Sequence, residues 1–292
     1  MRSEQEMLQL ILDFTSRDDN IRAALLNGSR ANPNAPRDPF QDFDVLCLVR
    51  DVTPYVRNRD IPPRFGEIMI LQLPDEMGHP RWPAEVHYSY LMQYMDGNRI
   101  DLGFHSLARL EEVIHDSLTV VLQDKDGILE DVPPPSDKDY LVEQPTEKAF
   151  QDCCNEFWWC SPYVAKGLWR GELTYATYFL EEALRPELMK MLSWYFGIRT
   201  AFKKSPGKAG KYLKDGLEPG TWAELEATYP DSKFDHIWDS LFVMGRLFRR
   251  IARVVASAYG FEYPQGDDDR VSDYLLRIYP GHSPGYSQRE DL

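Results

Sequence analysis

Residues 131 to 145 read DVPPPSDKDYLVEQP, and no other stretch limits the fold as much. Proline has no backbone N–H and a fixed φ, so three in a row can neither continue a helix nor sit inside a sheet. The segment predicts a linker, and the hydrophobic pattern changes across it. Before it, short apolar runs alternate with turn residues. After it, apolar residues recur every three to four positions. A chain of 292 residues suffices for two ordinary domains. The expected architecture is α+β: strands with flanking helices over residues 1–135, a helical bundle over 146–280, and a loose tail over 281–292.

In the first part, Met7, Leu8, Ile11, Leu12 and Phe14 mark one face of an amphipathic helix near residues 3–16. An apolar stretch from Ile21 to Leu26 ends at the turn dipeptide Asn27-Gly28. The proline-containing loop ANPNAPRDP follows, and then DVLCLV, a continuously apolar strand. Further strands are predicted at EIMILQL (67–73), VHYSYLMQYM (86–95), RIDLGF (99–104) and LTVVLQD (118–124). Asp96-Gly97-Asn98 reads as a hairpin turn, and LARLEEVIH (107–115) as a helix. In the second part, Phe150, Cys153, Phe157, Val164 and Leu168 share a helix face, with Pro162 as an expected kink. Leu180, Leu184, Leu188, Met191 and Tyr195 form another, with Pro186 as an expected break. Ile237, Leu241, Met244, Phe248, Ile251 and Val255 form the clearest stripe.

Two aspartates, Asp42 and Asp44, stand at the mouth of the DVLCLV strand. In a strand, residues i and i+2 project to the same side. Two carboxylates about 4 Å apart repel by roughly 1 to 4 kcal/mol between water-like and surface dielectrics. A divalent cation turns that repulsion into attraction, and Mg²⁺ commonly takes one or two carboxylates together with phosphate oxygens. An Asp-x-Asp alone is more often a solvated strand edge. Its surroundings shift the balance. Gly28-Ser29 precedes it, and glycine lets backbone N–H groups approach a phosphate closely while a serine hydroxyl can donate to one. Asp101 lies in a second strand-like segment, where it completes a set of three acids if the two strands are neighbours.

Gly-Ser, a loop, Asp-x-Asp and a later strand aspartate together resemble the nucleotidyltransferase superfamily. MRSEQEM, FQDFDV, LQDKDG, QDCCNEFWW, YVAKGL and GKAGKYLK further resemble the bacterial aminoglycoside 6-adenylyltransferases, over nearly the whole chain. The resemblance implies a nucleotidyltransferase-type first domain built on a mixed sheet, and transfer of AMP from ATP to an antibiotic hydroxyl, most simply the 6-hydroxyl of streptomycin. It implies Mg²⁺ as cofactor and ATP as co-substrate. Asp42, Asp44 and Asp101 would hold the metal, with Asp101 either a ligand or the general base. Gly28, Ser29 and Arg30 would face the phosphates. Asp124 and Lys125 of LQDKDG, and Lys208 and Lys211 of GKAGKYLK, become further nucleotide candidates, although Ala209-Gly210 replaces the Asn-Tyr that the family often carries. A cationic drug needs carboxylates and aromatic walls. Glu156, Trp158, Trp159, Glu181 and Glu182 are the candidates for these.

The net charge of −14 speaks against phosphate-backbone binding, so no nucleic-acid partner is expected, and suits a cationic ligand. Arg246, Arg249, Arg250 and Arg253 on one helix then read as internal ion pairing. The four cysteines (Cys47, Cys153, Cys154 and Cys160) form no C-x-x-C pair and are expected as buried thiols. The start has no cleavable apolar core and no run nears membrane-spanning length, so the expected location is the cytoplasm with no membrane partner. The reading leaves the oligomeric state open and is compatible with a monomer. Gly281-His282-Ser283-Pro284-Gly285 fits a nucleophile-elbow pattern, but Pro280 precedes it, Pro284 interrupts it and no histidine follows. Two alternatives to drug modification share the same residues: adenylylation of a protein or other hydroxyl acceptor, and a nucleotide-binding module without turnover.

Overall fold

The computed structural model describes residues 1–78 and 82–279, so the expected tail and the 281–285 motif lie outside the described residues. The chain divides into two compact units at Asp139/Tyr140, inside the proline-rich segment.

In the first unit, α1 (Glu4–Arg17) opens with a reciprocal cap. Ser3 Oγ accepts from the Glu6 backbone N–H at 3.3 Å, and the Glu6 carboxylate accepts from the Ser3 N–H at 2.7 Å. β1 (Ile21–Asn27) follows, then the single helical turn α2 (Gly28–Ala31), β2 (Phe43–Val49), β3 (Ile68–Gln72), β4 (His87–Tyr94) and β5 (Arg99–Ser106). The turn at Asp96-Gly97-Asn98 closes a β4–β5 hairpin, with the Gly97 N–H on the Tyr94 carbonyl at 2.9 Å. The expected helix at 107–115 shortens to a 3₁₀ turn, Leu107–Arg109, and α3 (Leu110–Val113). β6 (Thr119–Asp124) follows after five residues.

The six strands form one mixed sheet in the order β3-β4-β5-β2-β1-β6. Only β2 and β5 run parallel; the other pairs are antiparallel. Strict alternation in β4 and β5 sends Tyr88, Tyr90, Met92, Tyr94, Ile100, Leu102 and Phe104 to one face. There they pack with Phe43, Val45 and Cys47 under Met7 and Ile11 of α1. The opposite face changes character along the strands. One end is apolar, with Ala23, Leu25 and Leu48 against Val113 and Leu129. β2 is central and covered on both sides there, which is why VLCLV reads as an unbroken apolar run. The other end is polar and holds Asn27, Asp44 and Asp101.

The second unit is built from α4 (Glu147–Trp169), α5 (Leu173–Tyr178), α6 (Arg185–Arg199), α7 (Pro219–Glu226), α8 (Phe234–Tyr259) and α9 (Gln265–Ile278). α4 continues through Pro162. The break expected at Pro186 is instead a π-helical turn, Phe179–Leu184, joining α5 to α6. A proline lacks the N–H that an α turn needs and crowds the carbonyl four residues back, and the wider turn relieves both. The stripe on α8 is buried throughout, and Phe248 stacks on Phe157 with ring centroids 3.8 Å apart. Arg249 forms a two-pronged pair with Asp268, which is 0% exposed and also accepts from Tyr263 Oη at 2.7 Å and Ser272 Oγ at 2.9 Å. Arg250 pairs with Glu224 at 2.7 Å and Arg253 donates to Gln265, so ion pairing within the unit is seen for Arg249 and Arg250 of this row. All four cysteines are buried free thiols; burial pushes Cys154 and Cys160 up to about 12. Among the described residues no helix is long and apolar enough to cross a membrane.

Candidate active site

The polar end of the sheet is organised by register. Asp44 of β2 is the parallel partner of Asp101 on β5 and the antiparallel partner of Asn27 on β1. Paired residues on neighbouring strands put their side chains on the same face, about 5 Å apart in the hydrogen-bonding direction. Asp42 lies two residues before Asp44 and Arg99 two before Asp101, so all four share that face. Two remote segments of the chain thus bring three carboxylates to one patch.

Sequence reasoning missed Arg99, the cation between them. Its Nε and Nη2 donate to the two oxygens of Asp101 at 2.8 and 2.7 Å, and Nη1 lies 3.5 Å from Asp42 Oδ2. The only signal was its place two residues before a strand aspartate, which puts both on one side of the strand. The bond to Asp101 holds the guanidinium above its ordinary basicity. Burial pushes Asp42 above the usual aspartate range, Arg99 opposes that shift, and Asp101 adds to it. The side chains of Arg99, Asp42 and Asp101 are 38%, 35% and 20% exposed, so solvent and ligands can reach the cluster.

Gly28 closes the patch. Its φ of +71° lies in the left-handed region, and a Cβ there would collide with the Asp44 carboxylate. Glycine is required twice over: for the turn out of β1, and for the approach of that turn to the acid. Ser29 follows in the same turn, and its carbonyl accepts from Gln41 Nε2 at 3.2 Å. The Asn27 amide donates to Thr119 Oγ1 at 2.9 Å, while its Oδ1 is buried without a hydrogen-bond partner.

The other nucleotide candidates stand elsewhere. Arg30 is 7% exposed, lies 3.8 Å over the Phe43 ring, donates to the Gln41 carbonyl at 2.8 and 3.2 Å, and pairs with Glu4 at 3.3 Å. Its donors are committed to protein, and it braces the loop before Asp42. Asp124 and Lys125 stand at the far end of the sheet from the acid patch. Asp124 pairs with Ala23, whereas the site is level with Asn27 and Thr119. Four residue steps, about 13 Å, separate the two levels. Asp124 accepts from the Leu129 N–H at 2.8 Å, and Lys125 Nζ donates to the Thr15, Ser16 and Asp18 carbonyls at 2.8–3.1 Å, capping the end of α1. Their order in the sequence could not show that the antiparallel β6 carries them to the far end.

In the second unit, Lys208 and Lys211 are exposed in a loop around Ala209 (φ +56°), with Lys211 Nζ 5.0 Å from the Tyr212 ring. Trp158 is corrected as a substrate wall: it is 2% exposed, packs on Phe157 and Phe248, and donates to Tyr263 Oη at 3.1 Å. Its neighbour Trp159 is 64% exposed, and Glu156 is exposed one position before Phe157. Glu181 and Glu182 sit on the π turn. Together with Tyr178 and Asp231 they line an open hollow of about 570 Å³. Glu181 is held there by Arg185 at 2.8 Å, and Glu182 is exposed.

The donor chemistry of the acid patch fits a hard divalent cation. It offers carboxylate oxygens, on one face, beside a glycine turn, with positive charge already lodged between two of them. Among the described residues no three His, Cys, Asp or Glu side chains form a ready-made metal cage; Arg99 stands between Asp42 and Asp101.

Comparison with known proteins gives the patch a context. Residues 1–278 match the family model described as streptomycin adenylyltransferase. The chain is 37% identical to an aminoglycoside 6-adenylyltransferase of Bacillus subtilis, covering 96% of this chain and 99% of that one. It is 38% identical to one of Campylobacter jejuni, covering 95% and 96%. A crystal structure of an aminoglycoside 6-adenyltransferase from Bacillus subtilis aligns at 32% identity with a TM-score of 0.48, over 96% of this chain and 99% of that one. With the family model spanning nearly the whole chain and both relatives matching end to end, the protein belongs to the streptomycin adenylyltransferase family.

Proposed function

We propose that the protein transfers AMP from ATP to the 6-hydroxyl of streptomycin, releases pyrophosphate, and thereby confers resistance to the drug. The observation that carries this reading is the pairing of Asp44 with Asp101 beside Gly28, in a chain aligned end to end with enzymes named for this activity. Mg²⁺, held by Asp42, Asp44 and Asp101, would supply charge neutralisation of the triphosphate.

The residues of the chain divide the rest of the work. The left-handed turn at Gly28 lets backbone N–H groups and the Ser29 hydroxyl approach the β- and γ-phosphates, where a side chain at position 28 would bar them. The drug's hydroxyl oxygen attacks the α-phosphorus. The P–O bond to the β-phosphate breaks, and pyrophosphate leaves with the electron pair. Asp101, at the edge of the patch, accepts the hydroxyl proton, or solvent does so if that carboxylate is taken up by the metal. Glu181, Glu182 and Asp231 suit the guanidinium and amine groups of the acceptor, and the exposed Tyr178 ring offers a cation–π surface.

Purified protein incubated with ATP, Mg²⁺ and streptomycin should release pyrophosphate only when all three are present, and should yield an adenylylated drug by mass spectrometry. Release with a protein acceptor but not with streptomycin would replace the acceptor. ATP binding with no turnover on any acceptor would remove the reading.

A further inference from the structure

The acid patch contains its own cation. Arg99 grips Asp101 with both prongs and lies 3.5 Å from Asp42, yet it is more than a third exposed. An arginine placed to bind the same oxygens as an incoming ion is that ion's competitor. We propose that Arg99 is a displaceable counter-ion. With the site empty it neutralises Asp42 and Asp101 and keeps divalent cations weakly bound. When metal and nucleotide arrive together, the guanidinium leaves the carboxylates and turns to the nucleotide's phosphates. Metal and ATP then bind cooperatively, because the phosphates provide the acceptors that Arg99 lacks once it lets go. This inference rests on the functional reading above.

Three physical points favour it. Three carboxylates on one face repel one another, so a site without an internal cation would bind stray divalent ions or splay its acids apart. A guanidinium matches carboxylate and phosphate oxygens equally well, so it can exchange one for the other without losing its bidentate geometry. Strand register fixes the backbone of both Arg99 and Asp101, so only the side chain has to move.

The test is Mn²⁺ binding, followed by electron paramagnetic resonance on the full-length protein with and without a non-hydrolysable ATP analogue. Arg99→Gln should bind Mn²⁺ about tenfold more tightly than the unaltered protein without nucleotide. It should also lose most of the increase in affinity that the analogue produces. Arg99→Lys, which keeps the charge without the fork, should fall between the two. Unchanged or weaker Mn²⁺ binding by nucleotide-free Arg99→Gln, with its melting temperature intact, overturns the inference even if streptomycin turnover is normal. Failure of every variant to bind Mn²⁺, with or without the analogue, overturns it together with the metal assignment. Absence of streptomycin turnover with the expected Mn²⁺ pattern leaves Arg99 as proposed and removes only the acceptor.

Discussion

The two units each contain an aspartate held by a two-pronged arginine, and the pairs differ in everything else. Asp268 is 0% exposed, and Tyr263, Ser272 and Arg249 fill its acceptor positions; Trp158 in turn supports Tyr263. Asp101 is partly exposed, accepts both prongs of Arg99, and has two further carboxylates nearby. The first pair is closed: each acceptor is satisfied from within, and nothing from solution can compete. The second is open, and solvent reaches the arginine that grips it. Identical chemistry therefore serves rigidity in one unit and exchange in the other, and the number of additional donors separates the two cases.

Reciprocal substitutions test this contrast most severely. Asp44→Asn, in the open patch, should lower kcat by a factor of about 100 or more while the melting temperature stays near that of the unaltered protein. Asp268→Asn, in the closed cluster, should destabilise the second unit by about 3 kcal/mol and leave turnover of the folded fraction close to normal. Denaturant unfolding monitored by tryptophan fluorescence, run beside the turnover assay, reads both. A mutant Asp44→Asn that melts early, or an Asp268→Asn that is stable but inactive, breaks the comparison.

A smaller effect sharpens it. Gly28→Ala introduces a Cβ against the Asp44 carboxylate at a left-handed φ, with an expected stability loss of about 1–2 kcal/mol. Because that Cβ displaces an acid of the open patch, turnover at a temperature where the protein is folded should fall about tenfold. An equivalent loss of stability with unchanged turnover would place the Gly28 turn outside the site.

The smallest effect comes from the same sheet face farther along β4 and β5. His87 and His105 are cross-strand partners with ring centroids 4.3 Å apart. Asp75 lies 3.6 Å from His87, and Arg109 lies 3.5 Å from His105 and 3.9 Å from the Trp82 ring. Burial, the neighbouring histidine and Arg109 push His105 down to about 3, and burial also lowers His87 despite Asp75. A histidine whose folded value lies below its unfolded value of about 6.5 stabilises the fold above that pH, and the stabilisation is lost as pH falls from about 6.5 toward 3. His105→Gln should therefore show a shallower decline of melting temperature between pH 6.5 and 4 than the unaltered protein. Parallel curves would mean that His105 titrates normally.

Much of the fold was legible because each half keeps one period. Alternation in VHYSYLMQYM and RIDLGF, and the spacing of Ile237 to Val255, each carry one signal over several turns or pairs. Within α4 the same spacing separates Trp158, in line with Cys154 and Ser161, from Trp159, which is one helical step around the axis and exposed. Asp42, Asp44 and Gly28 were readable as a local pattern. Arg99 was not, because its importance lies across the sheet, in a parallel pairing that no local pattern announces. The distance of Asp124 and Lys125 from the patch was hidden for the converse reason: a matching hexapeptide says nothing about which end of an antiparallel strand it occupies. The π turn at Phe179–Leu184 depends on how a proline is accommodated, which no periodicity shows.

The strand order has a last consequence, for synthesis. Asn27 meets Thr119 across 92 residues of chain, and Asp44 meets Asp101 only after β3 and β4 have been made. The nascent polypeptide carries its first two acids long before their partners leave the ribosome. Loop-closure entropy must be met before these distant pairings form, so the patch rests on contacts that are costly to close.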